Sequence, residues 1–301
     1  MHPAHVLDTQ SWSRHDIEAI LERASTYLPV PGSRLRSTDS LLHRRVVLAF
    51  FEASTRTRMS FELAVQRLGA SSFMFQPTGS SVEKGETLLA TMRTLQAMGF
   101  DAIILRHSEN GIHHAVASAI DIPVINAGEG VRAHPTQALL DASTLRERWG
   151  TLDGRRICIV GDVRHSRVAR SNVDVLTKLG AEVALCAADV FAPTDNAFAS
   201  CRRFSSIDDA MAWADCIHLL RIQRERITDS NTPAVAEYRL RYAMTLARAE
   251  AAPHVAIIHP GPVNIGVEID AAVLDLPQTL IDRQVTHGVA VRMAVLEQVL
   301  L

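Results

Sequence analysis

A chain of 301 residues is expected to form about two domains and to bury roughly three quarters of its unfolded surface, which excludes a disulfide-stapled miniprotein. With 47% hydrophobic and 21% charged residues it lacks the polar, highly charged composition that keeps chains disordered. Thirty-one basic against 33 acidic residues give a formal charge of −2, so no global basic field holds nucleic acid or an anionic membrane, and any anion site must be local.

Short apolar runs alternate with longer segments of helical period, the pattern of α/β units around a mainly parallel sheet. The first strand, Val46 to Phe51, passes through Glu52 and Ser54-Thr55-Arg56-Thr57-Arg58 into a helix over Met59 to Leu68 that closes at Gly69. Hydroxyls and guanidinium groups between a strand's carboxyl end and a helix N-terminus suit a phosphate; the alternative is a capped helix with solvent-facing arginines. After a strand at Ser72 to Phe75 comes Gly79-Ser80-Ser81-Val82-Glu83-Lys84-Gly85-Glu86. It departs from a nucleotide P-loop, because Lys84 precedes Gly85 and Glu86 follows, so ATP is disfavoured and Lys84 is left as a loop cation for an anion or for solvent.

A helix over Glu86 to Met98 closes at Gly99, and the strand Ala102 to Leu105 delivers Arg106 at its carboxyl end. After a strand at Pro123 to Asn126, a helix starts at Pro135 and runs to Trp149. His134 and Gln137 are i and i+3 at its start, able to donate to a carbonyl oxygen that becomes an oxyanion, unless His134 is a simple cap. His107, His113 and His114 have no metal-ligand spacing and read as solvated or capping residues.

The turn Leu152-Asp153-Gly154 marks a domain boundary, after which the pattern restarts with strand Ile157 to Val160 and helix Val168 to Leu179. The intervening turn, Gly161 to Arg167, lacks GxGxxG, so a dinucleotide fingerprint is not supported. Strand Glu182 to Cys186, helix Ile207 to Ala214 and strand Cys216 to Leu220 follow; the last delivers Arg221-Ile222-Gln223-Arg224-Glu225-Arg226, suited to bidentate recognition of carboxylates. Strand Val255 to His259 leads to Pro260-Gly261-Pro262, where backbone can approach a ligand, and a helix over Val289 to Leu301 ends the chain. The cysteines, Cys158, Cys186, Cys201 and Cys216, form no CxxC and read as buried reduced thiols. No run approaches the length of a membrane span and Met1 to Arg14 lacks a signal-like apolar stretch, so a soluble cytoplasmic protein is expected. The residues alone thus imply one site for a phosphate and another for a carboxylate-rich substrate.

Taken together, Ser54-Thr55-Arg56-Thr57-Arg58, Arg106, His134-Pro135-Thr136-Gln137 and His259-Pro260-Gly261-Pro262 resemble the aspartate and ornithine carbamoyltransferase family over nearly the whole chain. Glu52, Lys84-Gly85-Glu86-Thr87 and the Arg221 to Arg226 loop resemble its aspartate-using members; the Asp-x-x-x-Ser-Met-Gly loop and His-Cys-Leu-Pro of ornithine enzymes are absent. The resemblance implies an α/β fold of two similar-sized three-layer domains, each with a mainly parallel sheet flanked by helices, and an active site in their cleft and at a subunit interface. It implies a carbamoyl phosphate-binding domain over 1–133 with the C-terminal helix 284–301 packing back on it, an interdomain helix over 134–150, and an aspartate-binding domain over 151–283.

It further implies that Ser54, Thr55, Arg56, Thr57, Arg106, His134, Gln137, Gly261 and Pro262 hold carbamoyl phosphate, with Thr57, Arg106 and His134 catalytic. Lys84, Arg167, Arg221 and Gln223 would hold aspartate, Lys84 with Ser80 or Ser81 reaching into a neighbouring subunit of a homotrimer. The implied reaction carries the carbamoyl group from carbamoyl phosphate to the α-amine of aspartate, an early step of pyrimidine synthesis, without cofactor or metal. Regulatory or dihydroorotase-like partner chains are left open; the alternatives are another amine acceptor such as ornithine, or a catalytically silent scaffold. Two positions depart from the family pattern: Ile265 stands where arginine is usual, and Glu83 where some relatives carry a second lysine. Glu52, beside so many cations, is expected to pair with an arginine of the second domain such as Arg167.

Overall fold

The computed structural model describes residues 5–29, 35–78, 85–222 and 234–301. Ser80, Ser81, Lys84 and Gln223, with Arg224 and Arg226, lie outside the described residues. The chain divides into two compact units, Met1–Ser143 with Val285–Leu301, and Thr144–Gln284.

The first unit contains α1 (Arg14–Ser25), β1 (Arg45–Phe50), α2 (Thr55–Arg67), β2 (Ser71–Phe75), α3 (Leu88–Ala97), β3 (Ala102–His107), α4 (Ile112–Ala117), β4 (Val124–Glu129) and the start of α5 (Pro135–Trp149). Its sheet is wholly parallel in the order β2-β1-β3-β4. Val46 to Ala49 and Ala102 to Leu105 are buried without alternation, as strands covered on both faces must be. Val47, Ala49, Ile103 and Leu105 share one face with Met92 and Leu95 of α3 and Val116 of α4.

The second unit continues with β5 (Arg156–Val160), α6 (Arg167–Lys178), β6 (Glu182–Cys186), β7 (Arg202–Phe204), α7 (Ile207–Trp213), β8 (Cys216–Leu219), α8 (Val235–Tyr242), α9 (Leu246–Ala251), β9 (Ala256–Ile258) and the start of α10 (Ile281–Leu300). Its sheet, again parallel throughout, has the order β7-β6-β5-β8-β9. Cys158, Cys186 and Cys216 are fully buried within it, and none of the four cysteines is in a disulfide.

Strand order reverses between β1 and β3 in the first sheet and between β5 and β8 in the second. In parallel sheets such reversals open a crevice at the strands' carboxyl ends where ligands bind. Gly161, immediately after β5, is bound to this arrangement: it sits at φ +126°, and a Cβ there would lie 2.9 Å from the Leu220 carbonyl oxygen beyond β8.

Two helices begin earlier than their apolar periodicity suggests. α2 starts at Thr55, not Met59, because Thr55 to Arg58 form a polar first turn that a hydrophobic period does not mark. α10 starts at Ile281, not Val289; Gly288 reads as a breaker but lies within the helix, where a Cβ would meet Leu140 Cδ2 at 3.3 Å and Arg292 NH1 at 2.7 Å. Both α5 and α10 cross from one unit to the other along their length. His113, expected at the surface or as a cap, is fully buried, its Nε2 2.8 Å from the Leu105 carbonyl oxygen, because α4 packs on the sheet. No helix among the described residues is long and apolar enough to cross a membrane.

Candidate active site

In the first unit the expected residues gather at the carboxyl ends of β1, β3 and β4. Ser54 is the N-cap of α2, extended at φ −163°, yet its hydroxyl makes no capping hydrogen bond. The first-turn N–H groups are therefore not satisfied by the cap side chain, and the turn carries Arg56 and Arg58 with no acidic residue. Thr57 is buried while Thr55 and Arg56 are exposed.

Arg106 pairs in register with Phe50, so β3 delivers it beside the turn that follows β1. It is 9% exposed; its NH1 donates to the Ala127 carbonyl of β4 at 3.1 Å, and its NH2 lies 3.0 Å from Glu52 Oε2. Glu52 therefore has Arg106, from its own unit, as an ion-pair partner, where the sequence reading assigned it an arginine of the second domain. The pair fixes the guanidinium plane at the carboxyl edge of the sheet.

His134 stands one residue before α5, and its carbonyl accepts from the N–H groups of Gln137 and Ala138 at 3.0 and 3.3 Å. Pro135 follows at the first helical position, where its missing N–H costs nothing. The cap is thus built by His134's backbone, and its side chain is buried. Gln137 Nε2 donates to Asp141 Oδ1 at 2.9 Å, one turn further along. Asp141 was missed by the sequence reading, although its i, i+4 spacing from Gln137 is the signal for such a contact.

In the second unit, β5, β8 and β9 are neighbours, and each supplies a turn at its carboxyl end. Arg167 is the first residue of α6, 8% exposed, behind Ser166, whose Oγ accepts from Ala169 N–H at 3.1 Å. A buried cation at the positive end of a helix opposes the dipole and is stabilised by an anion. Asp162, fully buried, accepts from His165 N–H at 3.2 Å and holds the turn leading to Arg167. Arg221 follows Leu220, whose N–H donates to the Val160 carbonyl at 2.8 Å, so the ends of β8 and β5 are tied together.

After β9, the His259 N–H donates to Gln284 Oε1 at 2.9 Å, and Gly261 N–H donates to His259 Nδ1 at 2.8 Å. Nδ1 acting as acceptor assigns the ring proton to Nε2, which lies 3.3 Å from Glu268 Oε1. Glu268 also accepts from Asn264 N–H at 2.6 Å, and Asn264 Nδ2 donates to the Ile222 carbonyl at 3.2 Å. A buried histidine–carboxylate pair thus shapes the turn carrying Gly261 and Pro262 and links it to the segment after Arg221. Ile265 is half exposed on the same turn. Among the described residues no group of His, Cys, Asp and Glu side chains forms a metal cluster.

Residues 4–147 match the family profile described as aspartate/ornithine carbamoyltransferase, carbamoyl-P binding domain, and residues 153–299 match its Asp/Orn binding domain. The aspartate carbamoyltransferase catalytic subunit of Solibacter usitatus is 46% identical over 301 residues, covering 99% of each chain. That of Gemmatimonas aurantiaca is 47% identical over 285 residues, covering 94% of this chain and 89% of the relative. The structure of Trypanosoma cruzi aspartate transcarbamoylase in complex with N-(phosphonacetyl)-L-aspartic acid superposes with a TM-score of 0.89 at 29% identity, covering 100% of this chain and 97% of that one. Two profiles spanning both units and near-full-length relatives lead to one conclusion: the chain belongs to the aspartate/ornithine carbamoyltransferase family.

Proposed function

We propose that the protein transfers the carbamoyl group of carbamoyl phosphate to the α-amine of L-aspartate, giving N-carbamoyl-L-aspartate and phosphate, as an aspartate carbamoyltransferase. The observation that carries this reading is the set of arginines at helix starts and strand ends facing no acidic first turn, at both strand-order reversals. The first unit would hold carbamoyl phosphate: Ser54, Thr55, Arg56 and Thr57 on the phosphate, with Thr57, Arg106 and His134 donating to the carbonyl oxygen and Gln137 touching the carbamoyl end. Gly261 and Pro262 would add main-chain contacts. Arg167 and Arg221, with Gln223, would hold the two carboxylates of aspartate.

The aspartate amine attacks the carbonyl carbon; the C–N bond forms, the oxyanion is stabilised by its donors, and the C–O bond to phosphate breaks as the amine proton passes to the departing phosphate. No covalent enzyme intermediate is required, so catalysis rests on holding two mutually repelling anions together and on aiming donors at the developing charge. Charge sign would set the acceptor, since Arg221 favours a diacid over a cationic side chain.

Lys84, with Ser80 or Ser81, would complete a neighbouring copy's site in a homotrimer. What supports this is β2, an edge strand just before that loop: Phe73 and Met74 on it, with Met59 and Leu63 of α2, are exposed apolar residues of the kind subunit contacts cover. The reduced cysteines suit a cytoplasmic setting. Phosphate release from carbamoyl phosphate, measured with L-aspartate and with L-ornithine alongside the mass in solution, tests the reading. Aspartate-dependent turnover by a trimer is expected; ornithine turnover would reassign the acceptor, and silence with both would favour a scaffold.

A further inference from the structure

Asp141 and Arg292 have no role in the chemistry above, yet both are charged groups inside the first unit, where such groups are costly unless they act together. Asp141 is fully buried and accepts from Gln137 Nε2. Arg292, 4% exposed, comes from α10; its NH1 donates to Ser60 Oγ at 2.7 Å, and its guanidinium lies 5.0 Å from the centre of the Phe61 ring. Ser60 and Phe61 both belong to α2, the helix that opens with Thr55 to Arg58. Burial pushes the Arg292 guanidinium down to about 9, with the charge of Asp141 opposing that fall and the charge of Arg106 adding to it. At neutral pH Arg292 is therefore still a cation, fixed within electrostatic reach of both Asp141 and Arg106.

A primary amide has nearly the same shape when turned by 180°, so packing alone does not decide whether Gln137 offers its NH2 or its carbonyl oxygen. An ionised carboxylate accepts and never donates. Once Asp141 takes Nε2, Oε1 on the other side of the amide must point away from Asp141. That leaves an acceptor on a residue assigned to the carbamoyl end of the substrate, which carries N–H donors.

On the footing of the carbamoyl-transfer reading, we propose that Asp141 and Arg292 are positioning residues that lock the Gln137 amide with Oε1 toward the substrate, so that the site demands an N–H donor and selects a carbamoyl group over an acyl group of the same shape. Asp141 sets the direction of the amide through its contact with Nε2, and the attraction between its charge and that of Arg292 ties α10 to that contact.

Acetyl phosphate is the probe, because it carries CH3 where carbamoyl phosphate carries NH2 and keeps the phosphate and the carbonyl. Aspartate-dependent phosphate release is measured with both donors for the wild type and for Asp141→Asn, whose side chain donates as readily as it accepts and lets Gln137 turn. The wild type is expected to favour carbamoyl phosphate by ~10² or more in kcat/KM, and Asp141→Asn to lower that preference about tenfold. A merely structural loss scales both donors alike, so an unchanged ratio overturns the positioning role. A wild type that turns over carbamoyl phosphate while the ratio holds in the variant sinks this inference alone; a wild type inactive with either donor sinks the parent reading too.

Should Asp141→Asn fail to fold, the wild-type protein still decides. The side-chain NH2 resonances of Gln137, assigned by their loss in Gln137→Glu, are expected to exchange slowly with solvent. Exchange at the rate of a free amide overturns the contact on which the inference stands.

Discussion

At the scale of single residues, the proposed site draws on cations placed where the backbone already repels them. Arg56 lies in the first turn of α2 and Arg167 opens α6, each at the positive pole of its helix. Arg56→Ala is expected to abolish most turnover while leaving stability unchanged or raising it by about 0.3–1 kcal/mol, the worth of one charge near a helix end; thermal unfolding beside a phosphate-release assay checks both halves. His134→Ala is expected to lower kcat by ~10² to 10³ with a smaller change in KM, the signature of a lost oxyanion donor. Steady-state kinetics showing kcat unchanged would remove His134 from that role.

At the scale of elements, most strands were legible as short apolar runs between turn residues: β6 has the bounds its run suggests, and β1, β3 and β8 differ by a residue or two, while β7, Arg202–Phe204, has two exposed arginines and no apolar run to mark it. Helix starts were less legible, because polar first turns such as Thr55 to Arg58, and a helix glycine such as Gly288, carry no apolar period. The candidate site residues read from the sequence as strand-end and helix-start cations; most of the contacts around them do not. Glu52's bond to Arg106 and the His259–Glu268 pair depend on which strands or turns lie side by side, whereas Asp141's bond to Gln137 follows from helical spacing alone. β8 also carries a testable cost. His218 is fully buried within it, and burial, with the neighbouring His259, lowers its pKa from 6.5 to about 3.

The folded state therefore holds His218 neutral while the unfolded chain binds a proton below about 6.5, so its contribution is complete above that pH and is lost as pH falls toward 3. Between pH 6 and pH 4 this one group is expected to cost about 1.4 kcal/mol per pH unit. Denaturant unfolding of the wild type and His218→Leu across that range reads the difference as a shallower slope in the variant.

For the whole molecule, the two units repeat one design: a parallel sheet whose order reverses once, with turns at that reversal presenting cations. The proposed sharing of a site between copies makes a sharp prediction. Arg56→Ala and Lys84→Ala chains, each inactive alone, are expected to regain activity when dissociated, mixed and reassembled, because roughly a quarter of the head-to-tail contacts in a random ring then join an intact Arg56 to an intact Lys84. Mixtures that stay silent would place Lys84 outside the neighbour's site.

The return of α10 to the first unit also governs how the protein is made. The first unit spans Met1–Ser143 but is finished only by Val285–Leu301, so a nascent chain must complete the entire second unit before the first can close. Arg292 with Ser60, Glu297 with Arg23 and the Leu300 carbonyl with Arg44 all arrive in that stretch. During synthesis the first unit therefore waits on the ribosome to pass the codons of α10, and a stop codon before them would strike the half of the molecule that was translated first.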